Sequence, residues 1–153
     1  MTAGPRVVGE ATVGVLYRHF YLGMASRPGA DHVIDANADL VDVGPAGLVL
    51  MSAASDHRAR VRVEYWRSRP DASTVPPGAA TKEGQVEIDA EPLVLAGVTT
   101  GELHELPAPP AAGLFGVRVI CEGRAELEAI EPIDPLADVT GVERWTIQLW
   151  PEP

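Results

Sequence analysis

The sequence predicts an all-β protein folded as a single antiparallel β-sandwich of about seven or eight strands over residues 1–153. Its apolar segments are short and often alternate with polar residues, which is typical of half-buried strands. The 15 glycines and 14 prolines are spread along the chain and leave little room for long helices. No block of about 20–50 residues repeats, and no helical segments alternate with the strands. A closed β-barrel is the alternative architecture.

The first predicted strands lie in the N-terminal third of the chain. Segment 11–22, ATVGVLYRHFYL, has apolar residues on both parities, which indicates one long strand buried on both faces for part of its length. Segments 39–43 and 47–53 are the next two strands. The intervening Gly44-Pro45-Ala46 predicts a hairpin between them.

An arginine-rich strand follows at 57–68, HRARVRVEYWRS. Alternation places apolar side chains on one face and Arg58, Arg60 and Arg62 on the other. Five arginines in 58–69, interleaved with aromatic residues, are also a candidate nucleic-acid surface. After a polar loop at 69–84, however, the strand at 85–95 has acidic residues at the same spacing: Glu87, Asp89 and Glu91. We therefore predict that these two strands pair, each opposite-charge pair contributing about 0.2–1 kcal/mol.

The remaining strands are predicted at 101–106, 114–122 and 143–150. The last two are separated by a twenty-residue acidic connection, 123–142, which has room for one short helix within 124–139. In the final strand, alternation places Trp145 on the core face with Ile147 and Leu149. Trp150 then faces the opposite side, where it is a candidate for contact with a partner.

Composition predicts one folded, soluble domain. The chain is 46% hydrophobic and 22% charged, which is ordinary for a globular domain. Its single cysteine cannot form an internal disulfide, which fits a reducing compartment. The N-terminus lacks the shape of a signal peptide, and no apolar run reaches the roughly 18 residues of a spanning helix. We expect a cytoplasmic protein.

The net charge is strongly negative and is distributed unevenly along the chain. The net charge is −10, and residues 83–153 contain fourteen acidic residues against three basic ones. Such a field repels nucleic acid and anionic membranes and attracts basic proteins. We therefore expect no nucleic-acid or membrane partner. The alternative is that the acidic surface only keeps the protein soluble.

The candidate metal and catalytic patterns are incomplete. Asp31-His32-x-x-Asp35 and Glu102-x-His104 each provide fewer ligands than a zinc site requires. Ser55-Asp56-His57 are consecutive, so their side chains cannot converge as a catalytic triad does. Cys121 lies in an apolar strand, where a thiol is usually a small core residue. We expect no enzymatic activity and no cofactor or metal.

Three segments carry a resemblance: GVRVICEGR at 116–124, ERWTIQLWP at 143–151 and VGVLYRHFYL at 13–22. The first two resemble the end, and the third the opening strand, of a largely uncharacterised family of β-rich bacterial proteins that is frequent in actinobacteria. Eleven arginines against one lysine are typical of a GC-rich genome. The family is distantly similar to the ComJ-like nuclease inhibitors and to immunity proteins of bacterial toxin systems. The resemblance implies a β-rich protein that binds a partner, and it provides no catalytic residues.

The sequence therefore favours a protein-binding module, specifically an immunity or inhibitor protein that neutralises a basic toxin or nuclease. The predicted contact residues are the acidic side chains of the 123–142 connection and one aromatic anchor: Glu126, Glu128, Glu131, Asp134, Asp138 and Trp150. Two alternatives stay open. One is a scaffold protein of a homo-oligomer or larger assembly, and the other is a small-molecule-binding sandwich.

Overall fold

The computed structural model describes residues 4–27, 37–98 and 101–153, which form two five-stranded sheets. In chain order the strands are β1 (Val7–Val15), β2 (His19–Met24), β3 (Val41–Val43), β4 (Leu48–Met51), β5 (His57–Tyr65), β6 (Ala80–Ile88), β7 (Leu93–Gly97), β8 (Leu103–Leu106), β9 (Gly113–Glu122) and β10 (Arg144–Pro151). The first sheet has the order β1-β5-β10-β9-β6 and the second the order β3-β4-β2-β7-β8. The predicted β-sandwich is confirmed, and the sheets do not close into a barrel.

Two predicted strands each divide, so the described residues contain ten strands rather than seven or eight. Segment 11–22 divides at Tyr17 and Arg18, whose φ angles of 55° and 61° are left-handed. A turn of this kind usually contains glycine or asparagine, so no residue of the segment indicated it. It takes the chain from β1 in the first sheet to β2 in the second. Segment 85–95 also crosses between the sheets, because its first residues end β6 in the first sheet and its last residues begin β7 in the second.

The strand parities were predicted correctly. On β5, the core face consists of Ala59, Val61, Val63 and Tyr65, all buried. On β10, the core face consists of Trp145, Ile147 and Leu149, and these side chains pack in the same hydrophobic cluster. The rings of Trp145 and of Phe20 in the second sheet are nearly perpendicular, with 5.6 Å between ring centroids. The thiol of Cys121 is also part of this core, and burial raises its pKa.

The predicted pairing of the arginine strand with the acidic strand is wrong. β5 lies between β1, to which it is antiparallel, and β10, to which it is parallel, whereas β6 pairs with β9 at the sheet edge. Arg62 instead faces Glu10 on β1, with 2.8 Å between Nη1 and Oε1. Arg58 is 2.8 Å from a carboxylate oxygen of Glu102. Complementary charges are too common in a sequence to identify strand neighbours.

A loop covers part of the outer face of the first sheet. This covering loop (residues 66–79) contains a 3-10 helix at Ala72–Thr74 and leads into β6, which begins before the end of the loop predicted at 69–84. Arg118 of β9 donates to the carbonyl oxygens of Pro70 and Asp71, at 3.1 and 3.3 Å. The Gln148 amide of β10 donates to Thr74 Oγ1 at 3.1 Å. Both outward-facing polar side chains are therefore buried.

None of the helices in the described part of the chain has the length and apolar character required to cross a lipid bilayer.

Candidate functional site

The acidic connection between β9 and β10, here called the acidic loop (residues 123–142), lies on the surface of the sandwich. It begins with the helix α1 (Arg124–Ala129), as predicted, and continues through turns to the start of β10. All five carboxylates predicted to contact a partner are exposed: Glu126, Glu128, Glu131, Asp134 and Asp138. The loop therefore presents five negative charges to solvent, and Arg124 is its single basic residue.

Three of these carboxylates have intramolecular partners that shape the loop. Glu131 forms an ion pair with Arg18 in the turn between β1 and β2. Asp134 accepts the Leu136 N–H at 2.8 Å. Asp138 accepts the Thr140 N–H at 3.1 Å, and this bond is the largest cause that lowers the pKa of Asp138.

The other two carboxylates, Glu126 and Glu128, make no side-chain hydrogen bond or ion pair with any described residue. Both are exposed on α1, where they flank the buried Leu127 on opposite sides. An incoming Lys or Arg can therefore pair with either one without breaking an existing contact.

A small apolar cluster holds the acidic loop against the sandwich. Leu127 of α1 is fully buried and packs with Ala53 and Ala54, and Ile133 and Val142 close the cluster from the loop side. Burying one leucine side chain stabilises by about 1.5–3 kcal/mol. This contact holds α1 against the sandwich through Leu127, so the other sides of the helix face solvent.

Glu143, the residue between the acidic loop and β10, has a fully buried carboxylate, 0% exposed. It accepts two hydrogen bonds, from the indole N–H of Trp145 at 2.8 Å and from the N–H of Ala53 at 2.9 Å. The Arg124 guanidinium lies 3.9 Å away and donates to the Met51 carbonyl at 2.6 Å. This buried charge therefore joins the end of the loop, the start of α1 and the segment after β4. Its position in an acidic run gave no sign of burial.

His57 lies beside Glu143 but the two do not form a catalytic arrangement. Its Nε2 is 2.8 Å from Ser52 Oγ, 3.1 Å from the Ala54 carbonyl and 4.0 Å from a Glu143 oxygen. Serine and carboxylate thus approach the same ring nitrogen, whereas a triad requires the acid at the other one. Nδ1 has no partner among the described residues, and burial lowers the pKa of His57. The side chains of His57, Ser52 and Glu143 are all buried.

Trp150 is only 5% exposed, although it faces outward from β10 as predicted. Its ring lies on Gly116 of β9, where an added Cβ would be 2.3 Å from the indole, and beneath the guanidinium groups of Arg69 and Arg118. Its N–H donates to Glu152 at 2.9 Å. Trp150 is therefore buried in the described structure, because the covering loop and Arg118 occupy that face.

The exposed apolar side chains of the acidic loop were not among the predicted contact residues. Leu136 is 94% exposed at the turn that Asp134 caps, and Ile130 is 44% exposed at the end of α1. Isolated apolar residues inside a polar loop were the available sequence signal. Leu136 and Ile130 place two exposed apolar side chains among the carboxylates of the acidic loop.

The fold is shared with two proteins of known structure. ComJ from Bacillus subtilis, an inhibitor of the DNA-degrading activity of NucA, superimposes with a TM-score of 0.63 at 8% identity, over 98% of this chain and 100% of that one. The product of crocagin biosynthetic gene J superimposes with a TM-score of 0.60 at 17% identity, over 95% and 97% of the two chains. The predicted resemblance to ComJ-like proteins is thus confirmed for the fold. No protein-family model and no curated protein sequence matches this chain.

Glu102-x-His104 is the one predicted metal-ligand pattern that lies inside the described residues. No group of three or more His, Cys, Asp or Glu side chains is placed to hold a metal ion there. His104 Nε2 and Glu102 Oε1 are 2.5 Å apart. The same carboxylate accepts the Gly14 N–H and pairs with Arg58. It therefore acts as a hydrogen-bond acceptor at the edge of β1. The pattern Asp31-His32-x-x-Asp35 lies outside the described residues.

Proposed function

We propose that this chain is a non-enzymatic inhibitor that binds a basic protein, a nuclease or toxin, through the acidic loop. The observation that supports it most is the set of five exposed carboxylates on a loop held at both ends by buried contacts. The shared fold with ComJ, over nearly the whole chain, supports an inhibitor role in general.

The loop favours association in two physical ways. Its negative field attracts a basic partner over distances of about one Debye length, roughly 8 Å at physiological salt, which raises the association rate. Because Leu127 and Glu143 already fix the loop, little additional chain entropy is lost on binding. Glu126 and Glu128 provide the first charge contacts, since neither has an intramolecular partner among the described residues.

Leu136 and Ile130 provide the apolar part of the proposed contact in place of Trp150. Charge pairs at the rim of an interface contribute little affinity, and buried side chains near its centre contribute most. Leu136 lies between two of the carboxylates in sequence and is almost fully exposed. We infer that it enters an apolar pocket of the partner that is surrounded by Lys and Arg.

The test measures inhibition of DNA degradation by purified basic nucleases and toxins of the source organism. A double variant, Glu126→Lys with Glu128→Lys, should slow association and weaken its salt dependence, because the steering charges are reversed. The matched control, Glu87→Lys with Glu105→Lys, makes the same change in net charge at two other exposed glutamates on β6 and β8. Equal association rates for the two double variants would show that the loop is not the contact. Failure of the unmodified chain to inhibit any of these proteins would remove the inhibitor proposal itself.

A further inference from the structure

The outer face of the first sheet contains a cavity that the covering loop leaves open. This outer-face cavity lies over β1, β5 and β10 and has a volume of about 470 Å³. It shares Glu122 and Arg144 with the adjoining surface beside α1. Its polar lining consists of three arginines, two glutamates and two threonines: Arg60, Arg62, Arg144, Glu10, Glu122, Thr12 and Thr146.

Two of these arginines are direct neighbours. Arg60 and Arg144 occupy paired positions on the parallel strands β5 and β10, so both side chains leave the same face of the sheet. Both reach Gly141: Arg144 donates to its carbonyl oxygen at 3.4 Å, and the guanidinium carbon of Arg60 lies 3.2 Å from the position that a Cβ would take there. Like charges directly opposite each other in a sheet are destabilising. An anion between them removes that cost.

The two arginines differ in how far their charge is already satisfied. Arg62, next on the same strand, is neutralised by Glu10 and Glu64, at 2.8 and 2.7 Å. Arg144 donates from Nη1 to the carbonyl oxygens of Gly141 and Val142, at 3.4 and 3.3 Å, and its Nη2 lies 3.7 Å from a Glu122 oxygen. The Arg60 side chain makes no hydrogen bond or ion pair with a described residue, and Asp138 interacts with it only through its longer-range field. Arg60 therefore has guanidinium donors available in a concave, polar site.

We propose that the outer-face cavity binds a small phosphate monoester through Arg60 and Arg144. One guanidinium group is sufficient for a carboxylate, whereas two guanidinium groups at paired positions on neighbouring strands can contact several terminal oxygens of a phosphate. Thr12, opposite Arg60 on β1, and Thr146, two residues after Arg144, add hydroxyl donors beside them. The inference does not depend on the inhibitor role of the acidic loop.

The rest of the lining restricts the ligand. Glu10 and Glu64 already pair with Arg62, and a Glu122 oxygen lies 3.7 Å from Arg144. Arg60 is therefore the one lining arginine without an ion pair to a described residue, which suits a ligand with a single anionic group. Glu10 and Glu122 repel a second anionic group and accept hydrogen bonds from hydroxyls. A cavity of this volume is within the range of small-molecule sites. The expected ligand is thus a phosphate monoester whose other substituents are hydroxyls, such as a polyol phosphate.

The test is a titration of the full chain at constant ionic strength with inorganic phosphate, glycerol 3-phosphate and acetate. The side-chain Nε–H resonances of Arg60 and Arg144 should shift in a saturable way, and the thermal midpoint should rise. Tighter binding of glycerol 3-phosphate than of inorganic phosphate supports a phosphate monoester, and the reverse order would overturn the monoester and indicate free phosphate as the ligand. No saturable response to either phosphate, or equally tight binding of acetate, would overturn the proposal.

Two variants separate binding from folding. Arg60→Gln should weaken phosphate binding by about tenfold or more, because one charge-assisted fork is lost. Without phosphate the same variant should unfold at the same or a higher temperature than the unmodified chain, since a like-charge contact is removed. Arg67→Gln removes an exposed arginine outside the cavity and should leave binding unchanged. An Arg60→Gln variant that binds phosphate as tightly as the unmodified chain contradicts the assignment.

Discussion

Replacing Glu143 with glutamine should destabilise the protein more than the same carboxylate-to-amide change at any acidic residue of the acidic loop. The carboxylate is fully buried and accepts two hydrogen bonds, from Trp145 and Ala53, at 2.8 and 2.9 Å. Glutamine has one acceptor oxygen, so its NH₂ group must face one of the two donors. The variant therefore loses a hydrogen bond to a charged group, worth about 1.5–3 kcal/mol, and leaves a buried donor unpaired. It also removes the negative charge 3.9 Å from Arg124.

These effects together predict a loss of about 2–4 kcal/mol in the free energy of unfolding. For a chain of this size, each kcal/mol lowers the thermal midpoint by about 2–4 °C. Urea unfolding followed by circular dichroism, with thermal unfolding in parallel, measures both quantities. The slope of the urea transition should be unchanged, because the surface exposed on unfolding is the same.

The matched control for this variant is Glu152→Gln. Glu152 is half-buried just after β10 and accepts the indole N–H of Trp150 at 2.9 Å, so it repeats the Glu143–Trp145 contact at the other end of the strand. Its amide can keep that hydrogen bond and turn the NH₂ group to water, so the loss should be under about 1 kcal/mol. Equal urea midpoints for the two variants would refute the claim that the buried carboxylate fixes the acidic loop.

Two further changes test the same region. Burial lowers the pKa of His57 against a smaller opposing effect of Glu143, so the unfolded chain takes up the proton first as the pH falls below about 6.5. Native stability should therefore decline from that pH downward, and His57→Asn should flatten the decline in urea midpoints; parallel pH profiles would contradict this. Gly123→Ala should cost more than Gly78→Ala, since both have left-handed φ angles, of 84° and 79°, but only at Gly123 would the Cβ lie 1.8 Å from the Val142 carbonyl oxygen. Gly78→Ala measures left-handed strain alone, about 1–2 kcal/mol, and equal urea midpoints for the two variants would disprove the clash.

Local patterns in the sequence predicted the local structure well. Period-2 alternation identified the core faces of β5 and β10, and Gly44-Pro45-Ala46 predicted the hairpin between β3 and β4, which the Gly44 N–H closes on the Gly47 carbonyl at 2.9 Å. These features depend on the steric preferences of neighbouring residues, which the sequence displays directly.

Long-range features were predicted less well. Tyr17 and Arg18 adopt left-handed φ angles that neither residue type favours, so the sandwich determines that turn. The parallel placement of β10 beside β5 separates the arginine strand from the acidic strand that its charges match. Trp150 faces outward as alternation requires, yet a loop from elsewhere in the chain covers it. Each outcome depends on contacts between residues distant in sequence, which no local pattern records.

The same division explains what was predicted for the acidic loop. The exposure of its five carboxylates followed from composition, because unpaired charges are rarely buried. Glu143 has the same residue type in the same acidic run, but the N–H groups of Trp145 and Ala53 meet at its position and offset the cost of burial. Only the fold brings these two donors together, so the sequence could not distinguish Glu143 from the exposed carboxylates.

The buried carboxylate and the exposed ones have complementary effects on the loop. Five exposed negative charges on about twenty residues repel one another and favour an expanded loop, most strongly at low salt. Leu127 and Glu143 oppose that expansion because they attach the loop to the sandwich, Leu127 by apolar burial and Glu143 by two hydrogen bonds. A basic partner would relieve the repulsion without reorganising these anchors, so in the proposed complex the charges favour binding while the loop keeps its shape. An inhibitor of this kind needs little exposed apolar surface, and in the acidic loop only Leu136 and Ile130 among the large apolar side chains are exposed in the described structure.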